Sequence, residues 1–341
     1  MPPKKRKPRM IKKKAPADTT PFAGLAPQVV LDAAASLGFE SDGRLFALNS
    51  YENRVYHLGH AQGGWVAKFY RPGRWSDAQI LEEHEFTQEL ASAELPVAAP
   101  LEVDGRTLYR HRDFRFAVFP WKRGRAPELD APGARGVLGR AIGRMHRIGG
   151  VRPFELRPRL SIERLGVEAR ATVMRSGLLP EGLHEAYERA SGALLERVLR
   201  AFETTGAPRE LRIHGDCHLG NLLWDAQGPV FVDLDDCVMG PGIQDLWMLL
   251  SGSPADQQRQ WQELLEGYQQ FADFDFRELL LIEPLRGLRM MHHAAWIAQR
   301  WGDPAFPRAF PWFGESRYWE SHLGDLLEQL AAIDTPPLLC S

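Results

Sequence analysis

Apolar positions recur along this chain with two different periods, and the change of period divides it. Between residues 45 and 119 they come in short runs, at 45–48, 55–58, 65–70, 107–110 and 114–119, separated by turn formers such as Gln62-Gly63-Gly64. Runs of that length between turn residues read as β-strands. Two helices interrupt them. Residues 27–37 place Val29, Val30, Ala33 and Leu37 on one face. Ser76-x-x-Gln79 is a capping-box pattern that opens a second helix running to about Ala93. From Pro127 onward the spacing is helical, at 134–148, 161–174, 183–202, 257–271 and 277–300. One hairpin breaks that half: the apolar runs 221–224 and 229–232 flank Asp225-Ala226-Gln227-Gly228. The pattern predicts an α+β chain, with an antiparallel sheet carrying one main helix and then a mostly helical half.

Composition changes this picture little. The chain has 341 residues, 44% hydrophobic and 25% charged, with a formal net charge of −2. It can bury an ordinary core and has no global attraction for nucleic acid or membrane. The cysteines Cys217, Cys237 and Cys340 form no disulfide framework or Cys-x-x-Cys motif. Without an apolar run of membrane-spanning length or an apolar leader, the expectation is a soluble, cytoplasmic, monomeric protein. Residues 1–20 hold a basic block and read as a disordered tail. That tail is the sole hint of a nucleic-acid partner. The expected division is a tail at 1–20, a first lobe at 21–120 and a helical lobe at 121–335.

The hairpin carries the candidate chemistry. It folds Asp216 and Asn221, which precede it, onto Asp233, Asp235 and Asp236, which follow it. Carboxylate and amide oxygens gathered at one end suit a hard cation such as Mg²⁺, which keeps water and substrate phosphate as its other ligands. Lys68 lies in the apolar run 65–70, where an amine is costly unless paired. Glu83 shares the stripe of Ile80, Phe86, Thr87 and Leu90 on the following helix, so it is the expected partner, ahead of Glu82 and Glu85. Asp245, in the apolar run 243–250, needs a buried partner of its own. His111-Arg112-Asp113 has Val118 where a metal-binding Asn would be needed, and it reads as a hairpin turn.

The run HGDCHLGNLLW, followed by FVDLDD and GPGIQDLWMLL, resembles the aminoglycoside phosphotransferase and choline kinase branch of the protein-kinase-like fold, and within it the stress response kinase A type. The resemblance covers nearly the whole chain from about residue 25. It implies a bilobal fold, with ATP as co-substrate and Mg²⁺ as cofactor. It implies that Asp216 orients or deprotonates the attacking hydroxyl, that Asn221 and Asp233 hold the metal, and that Lys68, paired with Glu83, holds the α- and β-phosphates. Asp245 and His214 would brace the catalytic loop. The turn over the phosphates, Asn49 to Asn53, has no glycine, and Ser50 and Asn53 would supply side-chain donors instead. Phe119 would lie at the adenine-binding hinge. Asp235 and Asp236 are left open between a second metal contact and simple solvation, and Cys217 and His218 read as packing. Arg286, Arg289, His292 and His293 lie on a helix that could help bind the acceptor. The implied activity is that of a Ser/Thr protein kinase. The alternatives are a kinase of a small alcohol (an amino alcohol, homoserine or an aminoglycoside) and a non-catalytic module that keeps the fold.

Overall fold

The computed structural model describes residues 21–335 except Gln62, so the basic block at 1–20 and Cys340 lie outside the described residues. Strands β1 (Leu45–Ala47), β2 (Arg54–Leu58), β3 (Trp65–Phe69), β4 (Tyr109–His111) and β5 (Phe114–Pro120) form one antiparallel sheet in the order β1-β2-β3-β5-β4. Alternation along the central strand β3 decides what each face meets. Ala67 and Phe69 join Phe116 and Val118 against α1 (Pro27–Ala35), through Val29, Val30 and Ala33. Lys68 points to the opposite face, where Tyr70 and Ala117 pack on Ile80 of α2 (Asp77–Ser92). The Ser76 hydroxyl accepts from Gln79 N and the Gln79 side chain returns to Ser76 N, so the capping box forms as the sequence predicts. The buried face of α2 carries Ile80, Glu83, His84, Phe86, Thr87 and Leu90.

Helices α3 (Ala134–Gly149), α4 (Glu168–Arg175) and α5 (His184–Thr205) open the second half. Two small ribbons follow: β6 (Leu211–Ile213) pairs with β9 (Val238–Gly240), and β7 (Leu222–Asp225) pairs with β8 (Gly228–Phe231) to make the expected hairpin. Helices α6 (Pro254–Tyr268), α7 (Ile282–Gln299), α8 (Ala305–Ala309) and α9 (Ser316–Ile333) complete the chain. One core joins Phe86 and Leu90 of α2 to Phe231, Leu246, Trp261 and Tyr268, and so fixes α2 against the hairpin. A second core holds α5, α7 and α9 together through Leu194, Met291, Phe313 and Trp319.

The structure departs from the helical periodicity in two places. The expected helix at 161–174 begins as a π-turn, Glu163–Val167, before α4. Residues 243–250 form two 3-10 turns, Gly242–Asp245 and Trp247–Leu249, because the Asp245 carboxylate is turned away to meet backbone of another loop. The aromatic stretch 301–319 holds α8, a 3-10 turn and the start of α9, and its Phe306, Phe313 and Trp319 pack in one core with α7. The His-Arg-Asp sequence at 111–113 is the turn between β4 and β5, as predicted.

Candidate active site

The loop after β6 is built by hydrogen bonds that the sequence supplies in advance. Asp245 is fully buried and accepts from His214 N and Gly215 N, both at 2.8 Å, one on each carboxylate oxygen. His146 approaches the same carboxylate at 3.0 Å and meets the Tyr268 hydroxyl at 3.0 Å with its other nitrogen. His214 reaches Val232 O at 3.1 Å, which ties the loop to the strand leading to Asp233. Gly215 has φ +83°, and a Cβ there would sit 2.2 Å from Asp236 O. Only glycine tolerates both the left-handed backbone and that approach. Asp245 and His214 therefore take the bracing role expected of them.

Asp216 follows directly. Its carboxylate lies between Arg289 Nη1 at 2.5 Å on one oxygen and His218 Nε2 at 3.3 Å on the other. Asn221 Nδ2 donates to Asp216 O at 2.9 Å, and Asn221 Oδ1 takes no hydrogen bond among the described residues. Burial pushes the Asp216 carboxyl up, but the His218 hydrogen bond and the Arg289 charge outweigh it and hold the group below the usual carboxylate range. The reading of His218 as a packing residue is corrected here, since its ring faces Asp216. Cys217 is buried and packs in the core, as expected.

Across the hairpin, Asp233 takes a left-handed backbone, φ 58° and ψ 63°, which is uncommon for a residue with a Cβ. Lys68 Nζ donates to Asp233 Oδ1 at 2.8 Å although 165 positions separate them. The same amine lies 3.2 Å from Asp235 and 3.8 Å from Glu83. Burial alone pulls the Lys68 pKa down, but these three carboxylates raise it well above its ordinary value, so the amine stays charged. Burial pushes Glu83 up against the pull of Lys68 and Arg157. Lysine and glutamate meet on the α2 face of the sheet, and Glu82 and Glu85 do not reach the amine.

The two carboxylates left open by the sequence separate here. Asp235 is buried, held by Arg74, Lys68 and Asn53 Nδ2 at 3.1 Å, and it reads as structural. Asp236 is half-exposed and pairs with Arg74 at 2.6 Å. The Asn53 amide is engaged at both ends, since its oxygen also accepts from Arg71 N at 3.0 Å. It fastens the turn over the cavity, which competes with the donor role expected of it.

The cavity beside these groups holds about 470 Å³. Ser50 and Asn53 from the turn, Asp216, Asn221 and Asp233 from the hairpin, and Arg289, His292 and His293 from α7 all line it. Phe119 does not; it lies near the end of β5 on the α2 face of the sheet, its ring 6.2 Å from His84. Sequence reasoning missed a set of contacts that pin the turn to the helical half. Glu52 meets Arg300 at 2.6 Å, Trp296 Nε1 at 2.6 Å and Arg71 at 3.1 Å, and Arg71 meets Asp303 at 2.7 Å. No local pattern signals these pairs. Among the described residues no group of three or more His, Cys, Asp or Glu forms a protein-only metal cage. Asp233 and the Asn221 amide oxygen offer the donor chemistry of a hard cation that takes its remaining ligands from water and phosphate.

The comparisons agree with this geometry. The model of the phosphotransferase enzyme family matches residues 45–281. The stress response kinase A of Salmonella choleraesuis is 44% identical over 93% of this chain and 96% of its own, and that of Escherichia coli K12 is 43% identical over the same shares. A Salmonella typhimurium relative named serine/threonine protein kinase RdoA is 44% identical over 93% of this chain and 96% of its own. Among solved structures, the amicoumacin kinase hAmiN in complex with AMP-PNP, Ca²⁺ and Ami superposes with a TM-score of 0.70 at 20% identity, over 92% of this chain and 94% of that one. Spectinomycin phosphotransferase APH(9)-Ia gives 0.64 at 13% identity, over 90% and 98%. A 318-residue match at this identity, on a bilobal kinase-like fold, places the chain among the kinases of the phosphotransferase enzyme family, in its stress response kinase A group.

Proposed function

We propose that the protein transfers the γ-phosphoryl group of ATP, with Mg²⁺, to the hydroxyl of a Ser or Thr residue in a protein acceptor. The observation that carries this reading is the convergence of one buried amine on Asp233, across a hairpin from Asp216 and Asn221. Lys68 is suited to the α- and β-phosphates. Asp233 and the Asn221 amide oxygen would hold the metal, which neutralises charge on the phosphates when bound. Phosphoryl transfer needs little covalent help from protein, so most of the catalysis is positioning and charge neutralisation. Asp216 fits that demand. Its low proton affinity makes it a weak base, suited to accepting a hydrogen bond from the acceptor hydroxyl and aiming the oxygen at phosphorus. The bond between the γ-phosphorus and the β–γ bridging oxygen breaks, and a P–O bond to the acceptor forms. ADP leaves, and the hydroxyl proton passes to Asp216 or to the new phosphate ester. Arg289 holds one Asp216 oxygen, so the hydroxyl takes the free edge of the carboxylate or displaces that contact. Adenine would lie against the backbone after Phe119, and Ser50 would face the phosphates from the turn.

The protein acceptor is favoured by the open shelf beside Asp216, where a second cavity of about 460 Å³ shares His218 and Arg289 with the first. It is also favoured by the printed name of the Salmonella typhimurium relative. The test uses labelled ATP and Mg²⁺ with casein, Ser and Thr peptides, amino alcohols, homoserine and aminoglycosides. Labelling of protein acceptors, abolished by Asp216→Ala with nucleotide affinity retained, supports the reading. Turnover of one small alcohol with no protein labelling refutes it.

A further inference from the structure

Resting on the transfer reading above, the charge around Asp216 indicates what kind of acceptor fits. Every carboxylate lining the cavity has a cation against it. Lys68 meets Asp233 and Asp235, Arg74 meets Asp235 and Asp236, Arg289 meets Asp216, and Arg300 and Arg71 meet Glu52. Arg164 is the reverse case. It reaches the cavity from the π-turn Glu163–Val167, where its backbone N–H donates to Ser161 Oγ, yet among the described residues its guanidinium makes no ion pair within 4 Å and no hydrogen bond. Burial acts against its charge, Asp236 opposes that at longer range, and Arg74 and Arg157 add to it. A half-buried guanidinium without an acid is costly, and it is relieved by an anion from outside. His292 and His293 stand beside Arg289 on the same wall, and Leu160, Leu165 and Leu285 supply an apolar floor. A cationic amino alcohol would meet Arg164 and Arg289 and find no acid left unpaired. Beyond His218 and Arg289 the second cavity continues to Arg286, whose guanidinium lies 5.4 Å over the Trp247 ring. Arg286 also pairs with Glu283 at 3.3 Å, so a longer acceptor meets paired charges there, and Arg164 is the cavity cation that stands without an acid among the described residues.

We infer that the acceptor carries an anionic group, a carboxylate or phosphate, beside the hydroxyl that is phosphorylated, and that Arg164 receives it. Arg164 is then a specificity-determining residue.

The experiment compares Ser peptides that differ only in a flanking Glu, phosphoserine, Gln or Lys, together with glycerate and aminopropanol as small hydroxyl compounds. Binding to the full chain with AMP-PNP and Mg²⁺ is measured by calorimetry, and transfer is measured with labelled ATP. The Glu and phosphoserine peptides are expected to bind at least tenfold tighter than the Gln peptide, and the Lys peptide more weakly than Gln. Arg164→Gln should cost the anionic peptides roughly ten- to hundredfold, the worth of one charge-assisted contact. The Gln peptide should change less than twofold, and Arg164→Lys should restore part of the loss. Among the described residues the Arg164 guanidinium makes no ion pair or hydrogen bond, so the variant is expected to melt close to the wild type. Equal losses on all peptides, no loss on any, or preference for the Lys peptide overturns the inference. Preference for glycerate over every peptide supports the anionic group and assigns it to a small molecule. Charge-selective binding that depends on Arg164, without transfer to any acceptor, defeats the transfer reading and leaves Arg164 as an anion-binding residue only.

Discussion

Asp245→Asn isolates the brace beneath Asp216. The change keeps shape and volume but replaces one carboxylate oxygen by an NH₂ group. Three donors surround the native group: His214 N and Gly215 N at 2.8 Å and His146 at 3.0 Å, with no solvent access. His146 and His214 N share one oxygen, so the asparagine carbonyl does best facing those two. Its NH₂ then confronts the Gly215 N–H, donor against donor. A buried donor left unpaired costs about 1–3 kcal/mol, and loss of charge from the other two bonds adds about 0.5–1 kcal/mol each. The sum is roughly 2–5 kcal/mol, overlapping the range of about 3–5 kcal/mol seen when one partner of a buried ionic group is removed. The loss falls on the residue just before Asp216, so displacement of the carboxylate should also lower kcat, by about a hundredfold for a shift near 1 Å. Urea denaturation gives the stability change, amide hydrogen exchange at Gly215 locates it, and labelled-ATP turnover reads the catalytic part. A variant within about 0.5 kcal/mol of the wild type, with kcat unchanged, would show that Asp245 does not brace the loop.

Other perturbations test other parts of the molecule. Glu278 is buried and accepts from Ile243 N at 2.9 Å, and burial pushes its carboxyl up from an ordinary 4.5 to about 7. The folded state then binds more protons between those values, so this group favours folding below about pH 4.5 and costs up to roughly 3 kcal/mol as pH rises through 7. Glu278→Gln should flatten that slope in urea midpoints measured at pH 5 and pH 7.5, and an unchanged slope would count against it. Gly215→Ala should lose at least a hundredfold in transfer while the far-ultraviolet spectrum is kept, because its Cβ would strike Asp236 O at 2.2 Å; near-native turnover would mean the loop has room to move. Asp233→Ala should lose metal-dependent nucleotide binding, measured by calorimetry with and without Mg²⁺, and equal affinity in both conditions would remove it from the metal site. Glu52→Gln should loosen the turn from α7 and speed hydrogen exchange over residues 49–53, with unchanged protection refuting the pinning role of the Arg300 and Trp296 contacts.

The candidate site groups were legible because their spacing is local. Asp216, Asn221 and Asp233 flank a short hairpin, and a two-stranded ribbon has few ways to fold, so sequence distance translates almost directly into proximity. Glu83 was legible from the helix period alone, and Ser76 with Gln79 from the capping box. Lys68 announced itself by being charged in a run that had to be buried. The rest depended on partners far away in sequence. Arg289 lies 73 positions from Asp216, Arg74 lies 161 from Asp235, and Trp296 lies 244 from Glu52. An arginine on a helix carries no mark of which acid it will meet, because a long flexible side chain suits solvent as well as any of several carboxylates. The same limit explains Asn53 and His218, whose partners were decided by how the turn and the loop came to rest.

What the sequence determined alone was the order of the sheet strands, the hairpin and most helices as far as residue 300, and the buried faces of α1 and α2, because periodicity and capping act within a few residues. The phosphate chemistry came from the resemblance of its motifs to a known family. What only the tertiary structure decided was which charges neutralise one another. That pairing is set by the docking of the sheet on the helical half, and among the described residues it leaves Arg164 in the cavity without an acid against it.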